Sequence, residues 1–208
     1  MKRLTLILIG LAVLPWGQAA GGVIFEVNPF TDNGAYNDSE QLTLLVDVSE
    51  PTAGMVRFEF RNDSTAASSS IAGVYFDDGL AALGAPVIDN GSGVDFWHGA
   101  SPPQLGGGLA FNTTYSAGPM RRPPHDGVNS GEHVGFNFTT APWVDFDDIV
   151  SAMNDQTLRV GAHVIALPDG SSEWAVNTPD SVPVPEPATI ALLVTGGLFV
   201  AAGRKKTA

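Results

Sequence analysis

Several segments of this chain alternate apolar and polar residues with a period of two, and this period constrains the fold more than any other feature. It is clearest in Gln41–Val48, Val56–Arg61, His133–Thr139 and Leu158–Ile165. Alternate side chains of a β-strand point to opposite faces, so each run predicts a strand with one buried side. Segments rich in Asn, Gly and Pro separate the runs and predict turns or loops. We therefore expect an all-β fold.

One segment, Asp145–Asn154, has the spacing of an amphipathic helix. Asp145 is suited to cap this helix, and acidic residues in its first turn complement the helix dipole. Short strands, glycine-rich turns and a single short helix are typical of an antiparallel β-sandwich of the jelly-roll or Greek-key type. Between Leu80 and Glu132 the alternation is weaker, and short strands and long loops are expected there.

The first 19 residues have the features of a secretory signal peptide. Lys2 and Arg3 precede an apolar run from Leu4 to Leu14, which is too short to span a bilayer. Small residues then stand at the positions that favour a cut after Ala19. We predict that residues 1–19 are removed on export.

The C-terminal segment, residues 182–208, joins three elements. A proline-spaced motif comes first and consists of Val184, Pro185, Glu186 and Pro187. The sixteen residues 188–203 carry no charge and predict an apolar transmembrane helix, about 24 Å long. A basic cluster follows and consists of Arg204, Lys205 and Lys206. Such a cluster holds the end of a membrane helix in the cytoplasm.

This order of elements resembles the PEP-CTERM sorting signal of Gram-negative bacteria, in which a Val-Pro-Glu-Pro-like motif precedes an apolar helix and a basic cluster. The resemblance implies recognition by exosortase, a membrane-embedded cysteine protease, and removal of the tail near the motif. It also implies export through the inner membrane to the cell surface or the extracellular matrix, with the C-terminal helix as a membrane anchor before processing. Proteins of this family often accompany exopolysaccharide, which makes exopolysaccharide a candidate partner.

Residues 20–181 lie between the two end segments and are expected to form one exported domain. They contain 21 acidic residues and five arginines, so their net charge is near −16. This charge repels nucleic acid, which we exclude as a partner. The chain has no cysteine, which excludes disulfides, thiol catalysis and zinc–thiolate sites.

Loops rich in oxygen ligands make calcium the one candidate cofactor, because this ion takes six to eight oxygens. The loop 28–40 and the strand end at 77–78 supply such ligands. The candidates are Asp32, Asn33, Asn37, Asp38, Glu40, Asp77 and Asp78. They do not match the EF-hand pattern, and the alternative is that they are ordinary solvated loop residues.

The sequence contains no recognisable catalytic motif, and its histidines lack the spacing of metal ligands. We therefore predict a non-enzymatic surface or matrix protein without a cofactor, calcium excepted. The alternative is a surface hydrolase that cleaves polysaccharide with paired carboxylates. Trp97, Trp143 and Trp174 are candidates for stacking on sugars, and the alternative for them is a core or edge position.

Overall fold

A computed structural model of the protein describes residues 22–37 and 40–183. This part of the chain forms eleven strands and one helix. The strands are β1 (Val23–Pro29), β2 (Leu44–Ser49), β3 (Met55–Asn62), β4 (Ser70–Asp78), β5 (Val87–Asn90), β6 (Phe96–His98), β7 (Tyr115–Pro119), β8 (Val128–Asn129), β9 (His133–Thr139), β10 (Leu158–Ile165) and β11 (Glu173–Pro183). The helix is α1 (Phe146–Asn154).

All the strands belong to one antiparallel sheet in the order β5-β9-β3-β2-β1-β11-β10-β4-β7-β6, and β8 pairs with β4. The sheet curls until its edge strands β5 and β6 come together in a nearly closed, barrel-like arrangement. The prediction of an antiparallel β fold with one short helix is confirmed. The two separate sheets of a sandwich are not found, because every described strand joins the same continuous sheet.

The seam between β5 and β6 is bridged by the side chain of Asn90. Its amide oxygen accepts a hydrogen bond from the Phe96 N–H at 2.9 Å, and its amide nitrogen donates to the Phe96 carbonyl at 3.2 Å. These two bonds copy the donor and acceptor pair that a neighbouring strand would offer.

The inner face of the sheet buries a cluster of phenylalanines. The cluster consists of Phe58, Phe60, Phe76, Phe136 and Phe138, each at most 1% exposed. Neighbouring rings meet edge to face, with centroids 4.9–5.8 Å apart, which is the favoured geometry for aromatic pairs. Because the chain has no cysteine, apolar packing of this kind holds the domain together without disulfides.

Helix α1 begins where the sequence predicted. The Asp145 carboxylate accepts a hydrogen bond from the Asp148 N–H at 2.9 Å, and the Asp148 carboxylate accepts from the Asp145 N–H at 3.0 Å. This reciprocal capping box satisfies backbone donors that a helix start leaves free. The helix buries Ile149, Ala152 and Met153 against the core and packs on β10 and β11.

The first and last strands of the described region lie side by side, with Val23 opposite Pro183. The predicted signal peptide (1–19), sorting motif (184–187), apolar helix (188–203) and basic cluster (204–206) lie outside the described residues, as does Asp38. Within residues 22–37 and 40–183, no helix has both the length and the apolar character needed to cross a bilayer.

Candidate functional site

The outer face of β4, β10 and β11 carries a second cluster of packed side chains, distinct from the inner core. Tyr75 is fully buried there, and its hydroxyl donates to the Pro102 carbonyl at 3.0 Å. His163 and Trp174 stack with ring centroids 4.0 Å apart and planes inclined by 11°. Leu105, also buried, completes the set. We call Tyr75, Leu105, His163 and Trp174 the outer cluster.

Burial keeps the two titratable members of the outer cluster uncharged. It raises the pKa of the Tyr75 hydroxyl and lowers the pKa of the His163 imidazole, because in both cases burial disfavours the charged form. The Nδ1 atom of His163 is buried without a hydrogen-bond partner. His163 therefore adds no positive charge to this face at neutral pH.

A long loop, residues 99–114, covers the outer cluster. It starts with a hydrogen bond from the Gly99 N–H to the Ser116 carbonyl at 2.8 Å. Farther along, a Cβ atom at Gly106 would lie 2.5 Å from the Trp174 ring. This approach is too close for any other residue, so a glycine lets the backbone rest on the indole.

An ion pair anchors the far part of this loop. Arg159 pairs with Asp77 and also donates to the Ala110 carbonyl at 2.7 Å. The Asn112 N–H donates to the same Asp77 carboxylate at 3.1 Å. The Arg159 guanidinium lies 5.0 Å from the centre of the Phe111 ring. Asp77 is thus occupied by loop contacts.

Beside the outer cluster lies an open cleft of about 370 Å³, which we call the outer-face cleft. Its lining includes Gly99, Ser101, Gly118, Met120, Arg122 and His163. At Gly118 a Cβ atom would lie only 3.2 Å from the Ala100 Cα atom and 3.3 Å from the Ala72 carbonyl oxygen. The missing side chain therefore lets the backbone at Ala100 pack directly against β7 beside the cleft.

Trp97 is the cross-strand neighbour of one residue of the cleft lining. In the β6–β7 pairing it lies directly opposite Gly118, and directly opposed residues of an antiparallel pair share a face. Its side chain is 61% exposed, and that of Met120, which lines the cleft, is 60% exposed. A large indole left in solvent is a flat apolar platform with one hydrogen-bond donor.

Arg122 gives the outer-face cleft its positive charge. Of the five arginines in the described part of the chain, the other four form ion pairs and Arg122 forms none. The neighbouring Arg121 binds Asp126 at 2.8 Å, and its hydrogen bonds lower the pKa of that carboxyl. Because Arg121 already compensates Asp126, the charge of Arg122 is left for the cleft.

A second cleft, of about 310 Å³, lies beside α1, and we call it the helix cleft. Its lining includes Leu80, Trp143, Asp148, Ser151, Asp155 and Thr157. Trp143 is 75% exposed. Hydrogen bonds from the side chain and the backbone of Thr157 lower the pKa of Asp155, while Asp148 belongs to the capping box of the helix.

The Asn- and Asp-rich loop that was predicted to bind calcium is fastened to the start of β11. The Asn33 N–H donates to the Glu173 carboxylate at 3.0 Å, and the Thr31 hydroxyl donates to the same carboxylate. Asp32 accepts a hydrogen bond from the Asn37 side chain. Glu40 lies in the turn that precedes β2. These contacts tie the loop to the β10–β11 hairpin.

The other two predicted calcium ligands lie at the opposite end of β10. Asp77 and Asp78 pair with residues 159 and 158, whereas β11 residue 173, which holds the loop, pairs with residue 164. Five strand residues correspond to roughly 17 Å. Asp78 accepts from the Leu83 N–H at 2.8 Å. Within the described ranges, no three His, Asp or Glu side chains converge as metal ligands, and calcium binding stays a prediction.

Three tryptophans were candidates from the sequence, whereas the residues that line the outer-face cleft were not. Trp143 lines the helix cleft, Trp97 lies opposite Gly118 of the outer-face cleft, and Trp174 is stacked beneath the loop 99–114. Ser101, Met120 and Arg122 gave no signal, since they lie in irregular segments. The presence of arginines in a strongly acidic domain was the one sequence signal for a cationic binding site. Only the structure shows which of these arginines has no ion pair.

The geometry describes an acidic β domain with clefts on its outer face, and comparison with known proteins identifies the segment attached to it. A family model of the PEP-CTERM protein-sorting motif matches residues 183–206, immediately after the described sheet. The C-terminal tail is therefore a PEP-CTERM sorting signal, which indicates export and sorting to the cell surface by exosortase. No curated protein and no solved structure matches the chain significantly.

Proposed function

We propose that this protein is a non-enzymatic polysaccharide-binding protein of the cell surface or extracellular matrix, and that exosortase processes it at its C-terminal motif. The observation that carries the binding proposal is the exposed indole of Trp97 opposite Gly118, which lines the outer-face cleft. The sorting signal supports the location, because it sends the domain to where extracellular polysaccharide is found.

A sugar ring fits the chemistry of this cleft. A pyranose has faces of C–H groups and a rim of hydroxyls, so it needs an apolar platform with polar groups around it. Trp97 supplies the platform, and the Ser101 hydroxyl lies among the polar groups of the lining. The strand pairing of β6 and β7 and the packed outer cluster support the cleft from below. A site held in this way loses little conformational entropy on binding.

The helix cleft is the best location for the rival function, a polysaccharide hydrolase, because it places Asp148 and Asp155 beside the exposed Trp143. Glycoside hydrolysis needs one carboxyl group that stays protonated near neutral pH. The pKa of Asp155 is shifted down, which opposes that role, and the Asp148 carboxylate is bonded to the helix cap. These two observations favour binding without catalysis.

The test is affinity electrophoresis of the mature protein, purified from its exporting host, in native gels that contain a soluble polysaccharide. The panel consists of the host exopolysaccharide, polygalacturonate, methyl-esterified polygalacturonate and dextran. We expect retardation by at least one polymer and a loss of roughly tenfold in affinity in Trp97→Ala. Trp143→Ala is the matched control, since it removes an exposed indole from the other cleft.

Three results would contradict the proposal. Lack of retardation by every polymer would remove the binding function, and equal binding by Trp97→Ala would remove the site. Release of reducing sugar that disappears in Asp155→Asn would establish the hydrolase instead.

A further inference from the structure

The charge of the outer-face cleft carries an inference about its ligand, which rests on the proposed binding function. Residues 20–181 have a net charge near −16, and a surface of this sign repels anionic polymers. Arg122 interrupts that surface, because it lines the cleft and is the single arginine of the described residues without an ion pair. A guanidinium with no internal partner is free to bind an external anion.

No carboxylate in the described part of the chain forms an ion pair with Arg122. Asp126 is the buried carboxylate of this segment, and Arg121 binds it with its guanidinium at 2.8 Å and its backbone N–H at 2.9 Å. Asp95 and His125 also lie close enough to this pair to act on it electrostatically, and His163, across the cleft, is neutral. Arg122 is therefore the cation of the cleft lining that is left without a carboxylate partner.

We propose that the outer-face cleft binds an acidic sugar residue, a uronate, whose carboxylate pairs with the Arg122 guanidinium while its ring lies on Trp97. A guanidinium has a planar fork of N–H donors that matches the two oxygens of a carboxylate. Trp97 lies opposite Gly118, and Gly118 and Arg122 both line the cleft. The carboxylate of a uronate is held at a fixed position relative to its ring face, so the pairing of the carboxylate and the stacking of the ring would act together on one monosaccharide.

This proposal explains how a strongly acidic protein binds an acidic polymer. The long-range repulsion is screened over about 8–10 Å in salt of physiological strength, whereas a close ion pair is screened less. Selection of the acidic polymer then depends on one local contact. The affinity for it should decrease with added salt more steeply than the affinity for an uncharged polymer.

The experiment compares polygalacturonate with its methyl ester, which keeps the sugar backbone and removes the charge. In the same native gels, we expect the wild-type mature protein to bind polygalacturonate roughly tenfold more tightly than the ester. Arg122→Gln should reduce that preference to about one. Arg122→Lys keeps the charge but loses the planar fork of N–H donors. Its preference for polygalacturonate over the ester should lie between the preferences of the wild-type protein and Arg122→Gln.

The matched control is Arg61→Gln, because it removes the same charge from an arginine that is paired with Asp63 on another part of the sheet. An equal loss of preference in this control would show that net charge decides the binding, and the proposal would be wrong. Equal binding of both polymers by the wild-type protein, with sensitivity to Trp97→Ala, would overturn the uronate site and keep the polysaccharide function. Failure of both polymers to bind would overturn the uronate site, and the polysaccharide function would fall only if the host exopolysaccharide and dextran also failed.

Discussion

The two faces of β4, β10 and β11 carry aromatic clusters that are built in different ways. On the inner face, Phe76 packs edge to face against the rings of other strands, and the sheet itself encloses it. On the outer face, Tyr75, the residue directly before Phe76, packs against Trp174 and is covered by the loop 99–114, whose Pro102 carbonyl accepts a hydrogen bond from its hydroxyl. The inner cluster is closed by regular structure, and the outer cluster by an irregular segment.

This difference assigns stability to the inner cluster and support of the binding cleft to the outer cluster. The inner cluster supplies cohesion without disulfides or a described metal cluster, and it has no opening to a ligand. The outer cluster is smaller, and it positions the loop that forms one wall of the outer-face cleft. Damage to the inner face should therefore change global stability, whereas damage to the outer face should change the loop and the binding site first.

The largest effect is expected from Phe76→Ala on the inner face. The substitution removes a fully buried ring from the centre of the phenylalanine cluster and leaves a cavity, which costs about 3–5 kcal/mol of unfolding free energy. Urea denaturation followed by tryptophan fluorescence measures this loss. A loss below about 1 kcal/mol would mean that the inner cluster is not the source of stability described above.

A smaller, local effect is expected from Trp174→Ala on the outer face. Because Trp174 is only partly buried, we expect a loss of about 2 kcal/mol, below the range for a core aromatic. Chymotrypsin should then cleave the loop 99–114 faster, at Leu105 or Phe111. The matched control is Val164→Ala, an inner-face substitution of similar expected cost. Equal cleavage in both variants would show that the loop opens only with global unfolding.

The smallest effect concerns the pH dependence of stability through His163. Its pKa lies below the ordinary value of 6.5 because of burial, so the unfolded chain takes up a proton more readily than the folded protein. The stability that the protein gains from keeping His163 neutral is fully present above pH 6.5, and it is lost as the pH falls toward the pKa of His163 in the folded protein. His163→Phe keeps a ring against Trp174 and does not titrate, so its Tm should fall less between pH 7.5 and 5.5. If the Tm of the wild-type protein and that of His163→Phe changed equally with pH, the pH dependence could not be attributed to His163.

The sequence predicted the inner face well. Strands β9 and β10 coincide with the predicted runs His133–Thr139 and Leu158–Ile165, and Asp145 caps the predicted helix. These elements were predictable because one of their sides meets water or weaker packing, so the period of two or 3.6 residues remains visible in the sequence. Strand β11, Glu173–Pro183, is not among the clearly alternating runs, and its pairing with β1 contains a register shift.

The outer face could not be predicted in the same way. Within the predicted run Leu158–Ile165, His163 lies on the face opposite to the apolar positions, yet it stacks on Trp174 below a loop that has no periodic pattern. The ion pair of Arg159 is similarly hidden in the sequence, since Arg159 meets Asp77 across 82 positions. Long-range contacts of this kind depend on the order of strands in the sheet, and one sequence does not fix that order.

The Asn90 bridge has a consequence for how the exported protein behaves at high local concentration. An unpaired edge strand offers N–H and C=O groups to any other chain, and this is the usual route to intermolecular β-pairing. Here the side chain of one edge strand occupies the backbone N–H and C=O of Phe96 on the other. The sheet is thereby protected at its seam against pairing with the edge strand of another chain.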